Sequence, residues 1–166
     1  MSWVCLLRGV NVGGNRKVKM DELRALFESL GCTHVRTILQ SGNVIFDAKS
    51  KPRDLESHLG TQVVLRTQEE IRKVIAANPF PSEAESDPAR LHVVFLSAPL
   101  PSDEPLRKVA LPEEKFVVRG KEIYIYFAHG AGRSKLAESL TEKKLGVICT
   151  ARNWNTVRKL AEERAA

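Results

Sequence analysis

The residues of this chain that could do chemistry fall into four short blocks. LRGVNVGGNRK at 7–17 holds Arg8, Asn11, Gly13, Gly14 and Arg16, and QSGN at 40–43 holds Gln40, Ser41 and Asn43. AHGAGRSKL at 128–136 holds His129, Arg133 and Lys135, and TARNWNTVRKL at 150–160 holds Arg152, Asn153 and Asn155. Guanidinium and ammonium groups, amide donors, a hydroxyl and backbone N–H groups left open by glycine are the parts of an anion-binding concavity. The arginines and the lysine would meet phosphate, and the amides would read polar edges.

Catalytic signals are weaker. His34, His58, His92 and His129 have no metal-ligand spacing with a cysteine or with one another, so no metal site is expected. Ser41 is not set in G-x-S-x-G. His129, in a glycine-rich loop beside basic residues, is the one acid–base candidate; Ser41 is the other catalytic candidate, and the sequence shows no activated nucleophile.

The glycine loop is not a dinucleotide cradle. Gly9 and Gly14 fit the outer positions of G-x-G-x-x-G, but Asn11 takes the middle one, where the backbone must approach a pyrophosphate. The helix after it begins near Met20, too far on to aim its N-terminus at the loop. Gly130 to Lys135 does not satisfy the P-loop pattern either. No nucleotide cofactor is expected.

These blocks are positioned by elements that the sequence marks clearly. WVCLLR at 3–8 is a buried strand, and Met20, Leu23, Leu26, Phe27 and Leu30 recur at helical spacing, with Asp21 and Glu22 in the first turn and Gly31 after the last. HVRTIL at 34–39 and NVIFD at 43–47 form a hairpin; a short helix with Leu55 and Leu59 and a strand at 62–66 follow. Thr67 to Glu70 is a capping box opening a helix through Ile71, Val74 and Ile75. The order then nearly repeats: strand 91–97, helix 102–109, hairpin strands 115–118 and 122–127, one helix from Ser134 to Leu145, a strand near 147–150 and a last helix with Trp154, Val157, Leu160 and Ala161 on one face.

The expected fold is therefore α+β: two ferredoxin-like, βαββαβ-type subdomains, antiparallel sheets with helices on one face. The boundaries are a first subdomain with its trailing helix at 1–78, a linker at 79–90 and a second subdomain at 91–166. In such a unit strands one and two run parallel with strand three between them. The loop after strand one and the hairpin after strand two then leave the same sheet end, bringing Arg8, Asn11 and Arg16 towards Gln40, Ser41 and Asn43.

Net charge is +6 over 166 residues. Residues 1–80 carry 12 Lys/Arg against 8 Asp/Glu, and residues 133–166 carry 8 against 4, so the excess lies at the two ends of the chain. That favours a phosphate-bearing ligand or nucleic acid as partner. Aromatic residues are only 6%; Tyr124 and Tyr126 share a strand face and could stack bases unless a helix covers them. Three widely spaced cysteines and no apolar run long enough to span a bilayer indicate a cytoplasmic protein without a membrane partner.

Leu-Arg-Gly-x-Asn-Val-Gly-Gly at 7–14, Gln-Ser-Gly-Asn-Val-x-Phe at 40–46 and Arg-Asn-Trp-Asn-Thr-Val-x-Lys-Leu at 152–160 together resemble a widespread bacterial family, domain of unknown function 1697. Gly-Arg-Ser-Lys-Leu at 132–136 also fits. The resemblance implies an α+β fold of two ferredoxin-like or similar subdomains, and it brings no activity, cofactor or catalytic residue. The functional expectation is an anionic-ligand binding protein with a basic, amide-rich pocket. The alternatives are a small-molecule enzyme using that pocket and a protein-interaction module without ligand.

Overall fold

The computed structural model describes residues 1–8, 20–38 and 42–162. It contains two four-stranded antiparallel sheets with helices. The chain divides into two compact units, one formed by Met1–Lys73 with the chain from Arg158 onward, the other by Val74–Val157.

In the first unit β1 (Ser2–Leu7) is followed by α1 (Met20–Ser29), β2 (Thr33–Ile38), β3 (Asn43–Asp47), α2 (Leu55–Leu59), β4 (Val63–Thr67) and the start of α3 (Gln68–Ala76). The strand order is β2-β3-β1-β4, the order of a ferredoxin-like unit. β1 pairs with β3 on one side (Cys5 opposite Val44) and with β4 on the other (Cys5 opposite Leu65). Cys5, Leu7, Val44 and Phe46 share one sheet face, because residues directly opposite one another in an antiparallel pair point the same way. Leu23 and Phe27 of α1 and Leu55 of α2 complete that core, with the Phe27 and Phe46 rings 5.0 Å apart. α1 stops where expected: Gly31 has φ 88, and its N–H donates to the Glu28 carbonyl at 3.1 Å.

The capping box forms. The Thr67 N–H donates to Glu70 Oε1 at 2.8 Å, and the Glu70 N–H donates to Thr67 Oγ1 at 3.1 Å, satisfying two otherwise orphaned amides at the start of α3.

The second unit repeats the order. It runs β5 (Leu91–Leu96), α5 (Glu104–Arg107), β6 (Lys115–Arg119), β7 (Glu122–Tyr126), α6 (Lys135–Glu138), α7 (Glu142–Leu145), β8 (Cys149–Asn153) and the start of α8 (Trp154–Glu162), and its strands form a sheet of order β6-β7-β5-β8. Val94, Leu96, Ile123, Ile125 and Phe127 pack with Leu106 of α5, Leu136 of α6 and Leu145 of α7. Trp154, Val157, Leu160 and Ala161 of α8 are buried, as their spacing requires.

Residues 79–90 hold α4 (Pro81–Ser86) and a 3₁₀ turn at Pro88–Arg90. One feature differs from the sequence reading: the single helix expected from Ser134 to Leu145 is two short ones. The Ser139 hydroxyl donates back to the Leu136 carbonyl at 2.6 Å. Thr141 is extended (φ −132, ψ 154) and caps the next helix by accepting the Lys144 N–H at 3.2 Å. Hydroxyl side chains that bond nearby backbone compete with helix continuation, and Ser139 and Thr141, two positions apart, break it.

The capping box makes a quantitative expectation. Thr67→Ala should lower unfolding free energy by about 1 kcal/mol in urea denaturation; an unchanged midpoint would show that α3 does not depend on its cap.

Candidate functional site

In the first unit the end of β1 and the start of β3 lie side by side at one sheet end. Leu6 lies opposite Asn43, and the Leu7 N–H donates to the Gly42 carbonyl at 2.7 Å, so the exit of β1 and the start of β3 are neighbours. Antiparallel pairing with β4 adds a third segment: the Arg8 N–H donates to the Gln62 carbonyl at 2.9 Å. Arg8 is half-buried, and its guanidinium donates to Gln62 Oε1 at 2.6 Å. Thr61 donates its hydroxyl to the Arg8 carbonyl. The sequence reading missed Thr61 and Gln62, although the same topology that placed Gln40 also places the start of strand four beside Arg8.

Asn43 is buried, and its Nδ2 donates to the Ile38 carbonyl at 3.2 Å, tying β2 to β3. Asn11, Gly13, Gly14, Arg16, Gln40 and Ser41 lie outside the described residues.

The second unit gathers the other two blocks. Tyr126 is opposite Leu91, and Asn153 is opposite His92, so β7 and β8 both finish at the end of the sheet where β5 begins. The loop carrying His129 and Arg133 and the junction carrying Arg152 and Asn153 leave from that end. Their strands stand on either side of β5, about 10 Å apart.

The polar groups here divide into those already engaged and those left open. Asn153 Oδ1 accepts the Thr156 N–H at 3.0 Å, which makes Asn153 the cap of α8. Arg152 donates to Thr150 Oγ1 at 2.6 Å and to the Ala151 carbonyl at 2.9 Å. Ser134 caps α6 by accepting the Ala137 N–H at 3.3 Å, and its hydroxyl donates to Glu114 Oε2 at 2.6 Å. A carboxylate of the protein itself, buried Glu114, therefore sits at the start of α6, where an incoming anion was expected. By contrast, Arg133, Lys135 and Asn155 are exposed, and among the described residues the Arg133 and Lys135 side chains make no ion pair or hydrogen bond.

His129 is exposed, with Nε2 3.6 Å from Glu113 Oε2, a surface ion pair when the ring is protonated. Among the described residues no group of three or more His, Cys, Asp or Glu side chains could hold a metal. All three cysteines are free and buried.

Of the two tyrosines, Tyr124 has no ring face open for stacking, whereas Tyr126 is half-buried. Tyr124 is buried and donates its hydroxyl to the Val74 carbonyl at 2.6 Å; burial pushes its phenol up to about 12. Tyr126 donates to Asp87 Oδ2 at 2.9 Å. The last turn of α3 and the end of α4 supply these acceptors.

The fold and this arrangement define an α+β protein of two four-stranded antiparallel units, each with basic and amide-bearing residues at a sheet end. The chain belongs to the family of proteins of unknown function DUF1697, whose profile matches residues 1–124. That match takes in the first two blocks and ends before the blocks at 128–136 and 150–160. Among solved structures the chain is similar to the conserved bacterial protein SP0830 from Streptococcus pneumoniae, with a TM-score of 0.73, 22% identity and 97% of each chain covered. At that identity the likeness shows the fold alone. No curated protein matches the chain. No described helix is long and apolar enough to cross a membrane.

His92 carries a consequence for stability. Its Nδ1 is buried without a hydrogen-bond partner, and the ring packs edge-on against Phe127 at 5.0 Å. Burial pushes its pKa below 6.5, with the Arg90 backbone opposing more weakly. The unfolded chain therefore binds the proton better, and the contribution of neutral His92, complete above pH 6.5, is lost as pH falls through 6.5 towards the folded value. Urea unfolding of wild type and His92→Phe at pH about 7.5 and about 5.5 should show a smaller acid loss in the variant. Equal losses would place the acid sensitivity elsewhere.

Proposed function

We propose that the protein binds a phosphate-bearing ligand at the end of the second sheet where β7 and β8 finish, with nucleic acid read through its phosphates as the best-supported form. The observation that carries this reading is the placement of exposed Arg133 and Lys135, without a partner among the described residues, on the exit of β7, while a second polar exit, Arg152 to Asn155, leaves the same sheet end two strands away. Two cationic groups with no internal use add to the field that attracts an anion. Asn155, exposed in the first turn of α8, adds an amide there. Arg152 and Asn153, braced on Thr150 and Thr156, serve this end as much by shaping it as by touching ligand.

Buried Tyr124 has no open aromatic face for a base to stack on, which favours phosphate contact over base contact at that position. In the first unit Arg8, with the glycine loop of Asn11, Gly13, Gly14 and Arg16 and the turn of Gln40 and Ser41, would supply a second polar sheet end of the same chemistry. His129 has no partner arrangement that favours a hydrolytic reading over binding.

Fluorescence anisotropy with short single-stranded RNA and DNA across a salt series tests this directly. Arg133→Gln/Lys135→Gln should weaken binding of both and reduce the slope of log affinity against log salt by about 1 to 1.5, since each single-strand phosphate contact contributes about 0.7. Unchanged affinity and slope would remove this sheet end from the ligand's path.

A further inference from the structure

The exit of β3 towards α2 in the first unit occupies the same topological place as the exit of β7 towards α6 in the second. It too is basic. Between Asp47 and Asp54 the chain reads Ala-Lys-Ser-Lys-Pro-Arg, so Lys49, Lys51 and Arg53 alternate with Ser50 and Pro52. All three cations are exposed, and among the described residues none makes an ion pair or hydrogen bond.

Two adjoining hollows border this segment. One, of about 560 Å³, is lined by Ser2, Thr33, Asp47, Lys49 and Ser50 among others. The second, of about 590 Å³, is lined by Ser50, Lys51, Pro52, Arg53 and Asp54. Ser50 and Pro52 belong to both, and each hollow has the volume of a small-metabolite site.

The carboxylate on the cleft wall is already matched. Asp47 accepts the Ser2 hydroxyl at 2.6 Å and bonds His34 Nδ1 at 2.9 Å. Burial alone would raise its pKa, but the bonds from Ser2 and His34 and nearby positive charge outweigh it and hold the group below 3.8. Asp54 is the one other acid, and its carboxylate caps no N–H of α2.

Positive φ also falls around the same place. His34 (φ 51) and Asp54 (φ 58) are the two described non-glycine residues with positive φ. His34 follows Thr33 of the first hollow, and Asp54 lines the second. His34 lies in β2 where its pairing with β3 shifts register, and Asp and His are among the non-glycine residues that adopt this conformation most readily.

We propose that this cleft is a binding site for a small ligand bearing a diphosphate group. Three unpartnered cations against one unmatched carboxylate suit a group of two to three negative charges. The lysine ammoniums and the arginine fork supply charge-assisted donors, and the Ser50 and Thr33 hydroxyls add neutral ones. The site stands on residues separate from those in the second unit, so the two readings fail independently.

Isothermal titration with inorganic pyrophosphate at moderate salt tests it, using wild type, Lys49→Gln/Lys51→Gln/Arg53→Gln and Arg133→Gln/Lys135→Gln, with melting curves to check that each exposed substitution leaves the fold intact. The proposal expects binding by wild type and a rise in dissociation constant of about ten-fold or more in the triple variant alone. No binding by wild type, equal binding by the triple variant, or an equal rise in both variants would overturn it.

Discussion

The first strand of each unit lies inside its sheet and is held on both edges by strands running the other way. β1 is paired with β3 and β4, and β5 with β7 and β8. Val4, Cys5 and Leu6 of β1 and Val93, Val94 and Phe95 of β5 have no exposed surface, so neither strand can slip by one residue without turning its core side chains to the wrong face. This double pairing fixes the polar segments. It puts Arg8, Gly42 and Gln62 at one end of the first sheet and the cleft of Ser2, Asp47 and Lys49 at the other. In the second sheet it makes β7, which leads into the Arg133 loop, and β8, which carries Arg152, finish at the same end.

Much of this order was legible in the sequence because the signals are local. The apolar run at 3–8, the capping box at Thr67 and the glycine after Leu30 each act through their immediate neighbours, and each does what its residue types dictate. That the end of β1 lies beside the start of β3 was legible too, since it follows from strand order alone. The break at Ser139–Thr141 was not: Leu136, Leu140 and Leu145 keep an apolar pattern across it, while the competing hydroxyls carry no periodic mark.

The candidate sites were less legible, for a different reason. An asparagine that caps a helix and one that meets a ligand look alike in sequence. Asn153 proved to hold α8, and Asn43 to hold a hairpin. Lys49, Lys51 and Arg53 read as an ordinary solvated loop until the hollows beside them are seen. The Ser2–Asp47–His34 cluster joins positions 45 and 13 residues apart and needs strand register to be found. What separates structural polar groups from available ones is their hydrogen-bond accounting. A buried group must find a partner within the fold, whereas Arg133 and Lys135 are exposed and, among the described residues, have none.

The central claim is that anion recognition is organised at the shared end of β7 and β8. Mapping amide chemical shifts by NMR while titrating a short single-stranded oligonucleotide tests it most directly. The account predicts shifts concentrated at residues 128–135 and 152–156. Shifts confined to other surfaces, or none up to millimolar oligonucleotide, would contradict it.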